Sequence, residues 1–149
     1  MAEIRPGEVA VPLPEAGDGV VYFIGRIRTP WKSRAECPKR GDPHDGPICT
    51  VEIDERWREA LTGVDGHERL QLLYWMDQAR RDLVRQSPKS DGRTTGTFAL
   101  RSPVRPNPIA SSVVHFVAAE DLRLLVRGLD CVDGTPLIDI KPDYCPRSD

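Results

Sequence analysis

A proline-rich stretch at residues 96–114 places the strongest restriction on how this chain folds. It holds three prolines within six residues, and each removes a backbone donor and disfavours helical geometry in the residue before it. Before the prolines, Phe98 and Leu100 fall on one face and Thr97, Ala99 and Arg101 on the other, which predicts a strand. A second strand is predicted through Val113 and Val114. The stretch therefore predicts a stiff, kinked corner between two strands.

This corner carries three side chains suited to binding, which are Arg101, Arg105 and Asn107. A rigid backbone that presents a few directional polar groups is typical of a binding site. The alternative is a structural corner whose arginines are only solvated. Composition leaves both interpretations open.

The rest of the chain predicts a β-rich domain. Its 149 residues suit one domain, and 14 prolines and 12 glycines indicate many turns between short strands. Strands are predicted at residues 20–29, 48–53, 70–76, 111–117, 122–126 and 137–140. A short helix is predicted at 55–61, with Asp54 as its N-cap and Gly63 at its end. Residues 79–84 suit either a helical turn or an edge strand. The predicted fold is all-β, a small single-domain β-barrel with one short helix and long loops, since closure removes exposed edges.

Residues 1–19 differ from the rest in being proline-rich and acidic. They lack the pattern of a secretory signal, so we expect a flexible leader, or an arm that covers an edge, before a domain at 20–149. No apolar run reaches the ~18 residues of a membrane-spanning helix, so no such helix is predicted. The four cysteines have no Cys-x-x-Cys spacing, and Cys37, His44 and Cys49 match no standard zinc pattern. We therefore expect reduced thiols, no metal and a cytoplasmic protein.

Positive charge is concentrated in two segments although the net charge is −2. Residues 26–40 hold six basic side chains and one acid, and residues 80–93 hold five basic side chains and two acids. This distribution allows a local anion-binding patch on an acidic protein. The chain has neither the glycine-rich dinucleotide motif nor a P-loop. Its candidate chemistry is a pocket of Arg, Asp and Asn, which suits a zwitterionic small molecule because arginine binds carboxylates.

Three stretches together resemble the tRNA-methyltransferase O family, also called the TsaA-like domain. They are residues 24–32, residues 96–114 and residues 129–142, and the last contains Asp-Gly-Thr-Pro followed by Asp-Ile-Lys-Pro. The three occur in the order that the family has. The resemblance extends over nearly all of residues 20–142.

The resemblance implies a small β-barrel that binds S-adenosylmethionine without a Rossmann fold and forms a homodimer. The activity it implies is N6-methylation of threonylcarbamoyl-adenosine 37 in tRNA. The cofactor-binding residues that it implies are Pro38, Lys39, Arg40, Asp77, Gln78, Arg101, Ser111, Asp133, Gly134, Thr135 and Pro136.

Asn107 and Asp133 are the candidate catalytic residues, because either can accept a hydrogen bond from the adenine amine during attack. Two alternatives of other classes stay open. One is a methyltransferase that acts on a small molecule or another RNA, and the other is a non-catalytic module that binds S-adenosylmethionine.

Overall fold

Six of the nine strands that the described residues form close into an antiparallel barrel. The computed structural model describes residues 3–144. Its strands in chain order are β1 (Val9–Ala10), β2 (Gly25–Arg28), β3 (Cys49–Ile53), β4 (Arg69–Trp75), β5 (Leu83–Gln86), β6 (Thr95–Gly96), β7 (Ile109–Glu120), β8 (Arg123–Arg127) and β9 (Thr135–Pro142). The barrel order is β2-β3-β8-β7-β4-β9. The predicted β-barrel is confirmed.

The barrel core comes from the alternating pattern of its strands. Apolar side chains at every second position point inward and are fully buried; among them are Ile27, Val51, Leu72, Val114, Leu124, Val126 and Leu137. Burial of each such side chain contributes roughly 1.5–3 kcal/mol. Polar residues occupy the outward positions between them, as on Arg26 and Arg28 of β2. The two-residue period therefore fixes which face of each strand forms the core.

The first barrel strand is shorter than predicted. It spans Gly25–Arg28, whereas the sequence predicts a strand at residues 20–29. Val20 and Tyr22 are 87% and 71% exposed, so the apolar alternation before Gly25 does not mark a buried strand. A Cβ on Gly25 would lie 1.9 Å from the carbonyl oxygen of Glu52. Glycine therefore allows β2 and β3 to approach closely where the barrel ladder starts.

A separate compact unit consists of Met1–Val20 and Met76–Ile109, while Val21–Trp75 and Ala110–Asp149 make the barrel unit. The smaller unit contains a three-stranded sheet in the order β1-β5-β6. Arg5 Nη1 donates to the carbonyl of Ser87 at 2.9 Å, and a Glu8 carboxylate oxygen accepts the Ser87 amide at 2.9 Å. The described N-terminal residues thus pair with β5. The division into a leader of residues 1–19 and a domain of residues 20–149 stays a prediction.

The strand predicted through Phe98 is wrong. The chain forms β6 and then a 3-10 helix at Thr97–Ala99, which leaves Phe98 91% exposed. The cause is the buried hydroxyl of Thr97, which donates to the Leu83 carbonyl at 2.6 Å and accepts from Gln86 Nε2 at 3.0 Å. These bonds turn the chain before the prolines. Of the two possibilities for residues 79–84, the strand is present as β5.

The predicted helix has its expected bounds, Glu55–Leu61, as a 3-10 helix. Asp54 occupies the predicted N-cap position, and its side chain makes no capping hydrogen bond. Gly63 has φ of +88°, the left-handed geometry expected after a helix end. Further 3-10 helices are Arg34–Glu36 and Val64–Gly66. Within residues 3–144, no helix has the length and apolar character needed to cross a bilayer.

Candidate functional site

A tight turn at residues 133–136, the 133–136 turn, joins the barrel unit's last loop to β9. The amide of Asp133 donates to the carbonyl of Trp31 at 2.7 Å. The amide of Gly134 donates to the carbonyl of Ile27, also at 2.7 Å. Gly134 has φ of +84°, which only glycine adopts without strain. The turn is therefore bonded along β2 and the residues that follow it.

The Asp133 side chain extends this attachment. One carboxylate oxygen accepts the Thr29 amide at 3.0 Å and the other accepts Lys32 Nζ at 2.8 Å. The Lys32 ammonium, aided by the Thr29 amide, holds the pKa of Asp133 below its usual range. A carboxylate with both oxygens engaged and a lowered pKa is a weak proton acceptor at neutral pH. Its position suits holding the two loops together.

The loop at residues 29–48, here the basic loop, lies against the residues that follow β8. A Cβ on Gly41 would be 1.8 Å from the carbonyl oxygen of Gly128, so the two backbones touch. Pro38, Lys39 and Arg40 come immediately before this contact, and all three are exposed. The barrel unit thus brings two groups of predicted residues, 38–40 and 133–136, onto loops that contact each other.

A polar chain inside the barrel unit was not anticipated from the sequence. The Tyr74 hydroxyl lies 2.8 Å from Ser112 Oγ and donates to an Asp130 carboxylate oxygen at 3.1 Å. Since Tyr74 gives its single proton to Asp130, Ser112 is the donor in the first bond. Burial raises the pKa of Tyr74, which keeps that proton in place. Asp130 belongs to the stretch 129–142, but nothing in its spacing links it to Tyr74 on a distant strand.

Ser111 is next to this chain but points outward. It is exposed, and its hydroxyl accepts Gln71 Nε2 at 2.9 Å from the neighbouring strand β4. The interaction is a cross-strand pair on the outer surface of the barrel. A role in cofactor binding for Ser111 stays a prediction.

The remaining predicted residues belong to the smaller unit. Asp77 and Gln78 are exposed in the turn directly after β4, where the sequence places them. Arg101 is exposed, and within residues 3–144 its guanidinium makes no hydrogen bond or ion pair. Arg105 differs, because its guanidinium donates to the carbonyls of Ser102, Ile109 and Arg101. The two arginines of the corner therefore have different roles in the fold.

Asn107 lies on the exposed side of the same corner. Its side-chain oxygen accepts Arg81 Nη2 at 3.3 Å, while Arg81 Nε donates to the Pro106 carbonyl at 2.6 Å. Asn107, Pro106 and Phe98 help to line an open depression of about 350 Å³. The Arg81 contacts fix the direction of the Asn107 amide and leave one lone pair of its oxygen open.

A second cavity, of about 320 Å³, lies in the barrel unit around Trp57, Leu61 and Leu70. Its β9 lining comes from residues 139–142, at the far end of that strand from the 133–136 turn. No predicted site residue lines it. Among residues 3–144, no group of three His, Cys, Asp or Glu side chains is arranged to hold a metal ion. Cys37, Cys49 and Cys131 are free thiols, and Cys145 lies outside the described residues.

Comparison with known proteins gives a consistent result. A protein from Rhizobium radiobacter named probable S-adenosyl-L-methionine-binding protein VirR is 54% identical over 140 residues, which cover 94% of this chain and 79% of that protein. An S-adenosyl-L-methionine-binding protein from Archaeoglobus fulgidus is 38% identical over 126 residues, covering 85% of this chain and 89% of that one.

A solved structure is also similar to this chain. A crystal structure of TrmO from P. aeruginosa matches with a TM-score of 0.68 and 34% identity. The match covers 91% of this chain and 58% of that chain, so this protein spans just over half of the solved one. The sequence model of the family described as the tRNA-methyltransferase O N-terminal domain matches residues 26–149. With the barrel, the 133–136 turn and these similarities together, the chain belongs to the tRNA-methyltransferase O N-terminal domain family.

Proposed function

We propose that this chain binds S-adenosylmethionine and transfers its methyl group to N6 of threonylcarbamoyl-adenosine 37 in tRNA. The family description names a tRNA methyltransferase domain, and the two relatives above are named for binding S-adenosylmethionine. The observation that carries the proposal is the attachment of the 133–136 turn to the basic loop through Asp133. Both segments hold residues that the family resemblance assigns to the cofactor.

The charged groups on the described residues fit this cofactor, which has a carboxylate, an ammonium and a sulfonium. Exposed cations at Lys39, Arg40 and Arg101 suit the carboxylate, because charge-assisted bonds from such groups are strong. Exposed Asp77 offers a carboxylate for the ammonium or for ribose hydroxyls. The family resemblance also assigns Pro38, Gln78, Ser111 and the 133–136 turn to cofactor binding.

When bound, the cofactor supplies an electrophilic methyl group, and the chain's contribution is mainly positioning. Asn107 accepts the N–H of the acceptor amine through the lone pair that Arg81 leaves open. Asp133 is better suited to positioning than to proton transfer, because Thr29 and Lys32 occupy its oxygens and lower its pKa. It orders the loop that holds Lys39 and Arg40.

Two experiments test the proposal in sequence. Calorimetry with S-adenosylmethionine should show saturable binding, and absence of heat at millimolar cofactor with folded protein contradicts it. Labelled cofactor should then methylate tRNA from cells that make the threonylcarbamoyl modification. Transfer to tRNA from cells that lack the modification would point instead to another RNA acceptor.

The second candidate is a module that binds the cofactor without catalysis, since the names of the two relatives state binding alone. Cofactor binding with no methyl transfer to tRNA or small-molecule extracts supports it. We also propose a homodimer with two-fold symmetry. Light scattering at micromolar concentration should give twice the chain mass of 16.7 kDa.

A further inference from the structure

We propose that the Asp130 carboxylate is the counter-charge for the sulfonium of S-adenosylmethionine, an inference that rests on the proposed function. Asp130 is not among the residues that the family resemblance assigns. It is half-buried in the segment between β8 and the 133–136 turn. Three features of its surroundings lead to this role.

The first feature is the absence of a neutralising cation. Among residues 3–144, Asp130 forms no ion pair, whereas Asp133 three positions later is paired with Lys32 at 2.8 Å. The protein partner of Asp130 is the uncharged hydroxyl of Tyr74. A half-buried carboxylate whose partner is neutral retains attraction for a cationic ligand.

The second feature is that the carboxylate is held in a fixed direction. Ser112 donates to Tyr74, and Tyr74 donates to one oxygen of Asp130. Tyr74 is 3% exposed, so strands β4 and β7 hold the donor rigidly. The bond occupies one carboxylate oxygen, and no described group donates to the other.

The third feature is proximity to the predicted cofactor loop. Burial, and then the nearby Asp130 carboxylate, raise the pKa of the Cys37 thiol. Thr29 Oγ1 donates to the carbonyl of Cys131 at 2.8 Å, and the backbone of Gly41 touches that of Gly128. Asp130 therefore lies between two points at which its segment contacts the basic loop, which holds residues 38–40. Burial also raises the pKa of Cys131 to about 12, and Asp130 adds to that increase. Both neighbouring thiols are therefore neutral at pH 7.

These surroundings favour a sulfonium over an ammonium. An ammonium has three donors that each need an acceptor when it leaves water. The groups known to be near Asp130 include the hydroxyls of Tyr74 and Ser112, which are already bonded to each other, and the thiols of Cys37 and Cys131, which are weak acceptors. A sulfonium has no donor to satisfy and needs only nearby negative charge.

The test compares S-adenosylmethionine with S-adenosylhomocysteine, which has the same ammonium and carboxylate but a neutral thioether. Asp130→Asn removes the charge and keeps an oxygen that accepts from Tyr74. We expect calorimetry to show about tenfold weaker binding of S-adenosylmethionine, with S-adenosylhomocysteine affinity within about twofold of the parent; tenfold corresponds to about 1.4 kcal/mol. Asp130→Glu retains the charge and should restore the preference for the charged ligand.

The matched control is Asp65→Asn, which changes the net charge equally at an exposed position in the 3-10 helix Val64–Gly66. It should leave both affinities unchanged. Equal loss of both ligands in Asp130→Asn, or no loss, overturns the sulfonium assignment. If the Asn variant does not fold, Asp130→Ser serves as the neutral variant. A parent protein that binds neither ligand overturns the proposed function, and the inference with it.

Discussion

Arg101 and Arg105 are four residues apart in the proline-rich corner, and their guanidinium groups have opposite surroundings. Arg105 donates to three backbone carbonyls, so it replaces the hydrogen bonds that the prolines cannot make. The guanidinium of Arg101 is exposed and has no partner among the described residues. At this position in the fold, one arginine maintains the corner and the other is available to a ligand.

Alanine variants of these two residues should separate stability from binding. Arg105→Ala removes several charged donors from backbone carbonyls and should lower the free energy of unfolding by about 1–3 kcal/mol. Arg101→Ala should leave unfolding unchanged and weaken cofactor binding by roughly 1.5–3 kcal/mol. Urea denaturation and calorimetry on both variants measure the two quantities. Undiminished binding by the Arg101 variant would mean that this arginine is only solvated.

The lowered pKa of Asp133 predicts how the stability of the fold depends on pH. Lys32 lowers its pKa in the folded protein, so ionised Asp133 stabilises the fold above the ordinary carboxylate pKa. That contribution is lost as the pH falls through the lowered value. Carboxyl NMR titration should give an Asp133 pKa below ~3.9, and Lys32→Met should raise it. An unchanged value in the Lys32 variant would show that the ion pair does not form in solution.

Among the elements, the basic loop makes one close backbone contact that requires glycine at residue 41. Gly41→Ala would place a methyl group 1.8 Å from the Gly128 carbonyl oxygen, so the loop would have to move. We expect faster proteolysis within residues 29–48 and weaker cofactor binding, since residues 38–40 directly precede the contact. Gly66→Ala is the control, because nothing lies within 4 Å of the added carbon there and its φ is not in the left-handed region. Equal protease sensitivity of the two variants would contradict the role of Gly41.

Sequence patterns located most of these elements but not their contacts. A strongly apolar run identified the strand that contains Leu70 and Leu72, because inward positions of the barrel need apolar side chains. Alternation misled at Phe98, where the buried Thr97 hydroxyl turns the chain through bonds to residues from another strand. Asp130 was missed for the same reason, since its partner Tyr74 is 56 positions away. Long-range polar pairs leave no periodic signal in a single sequence.

At the scale of the whole molecule, the proposed function requires an acidic protein to bind RNA. The net charge is −2, yet residues 26–40 hold six basic side chains. If this segment contacts tRNA phosphates, binding should weaken steeply with salt, because each neutralised phosphate releases counterions. Residues 80–93 are less suitable for charge reversal. Arg85 donates to Thr94 within its own unit, so its replacement would also remove a hydrogen bond of the fold.

Charge reversal at Arg34 should therefore reduce tRNA affinity and the slope of its salt dependence, without changing cofactor affinity. Arg34 begins the exposed 3-10 helix Arg34–Glu36 and lies outside the assigned cofactor residues. Arg56→Glu, on the 3-10 helix Glu55–Leu61, has the same change in charge and should have little effect. Filter binding across salt concentrations measures the tRNA affinity and its salt dependence for both variants. A salt-independent activity would favour a small-molecule acceptor.

The segment Met76–Ile109 leaves the barrel after β4 and returns to it in β7, and these strands are neighbours in the ladder. At its base, the Met76 amide donates to the Pro108 carbonyl at 2.8 Å, so its two ends are joined as in a hairpin. The chain thus leaves the barrel at the end of β4 and re-enters it in the neighbouring strand, β7. A segment inserted in this way can be lengthened, shortened or exchanged without changing how the barrel strands are connected.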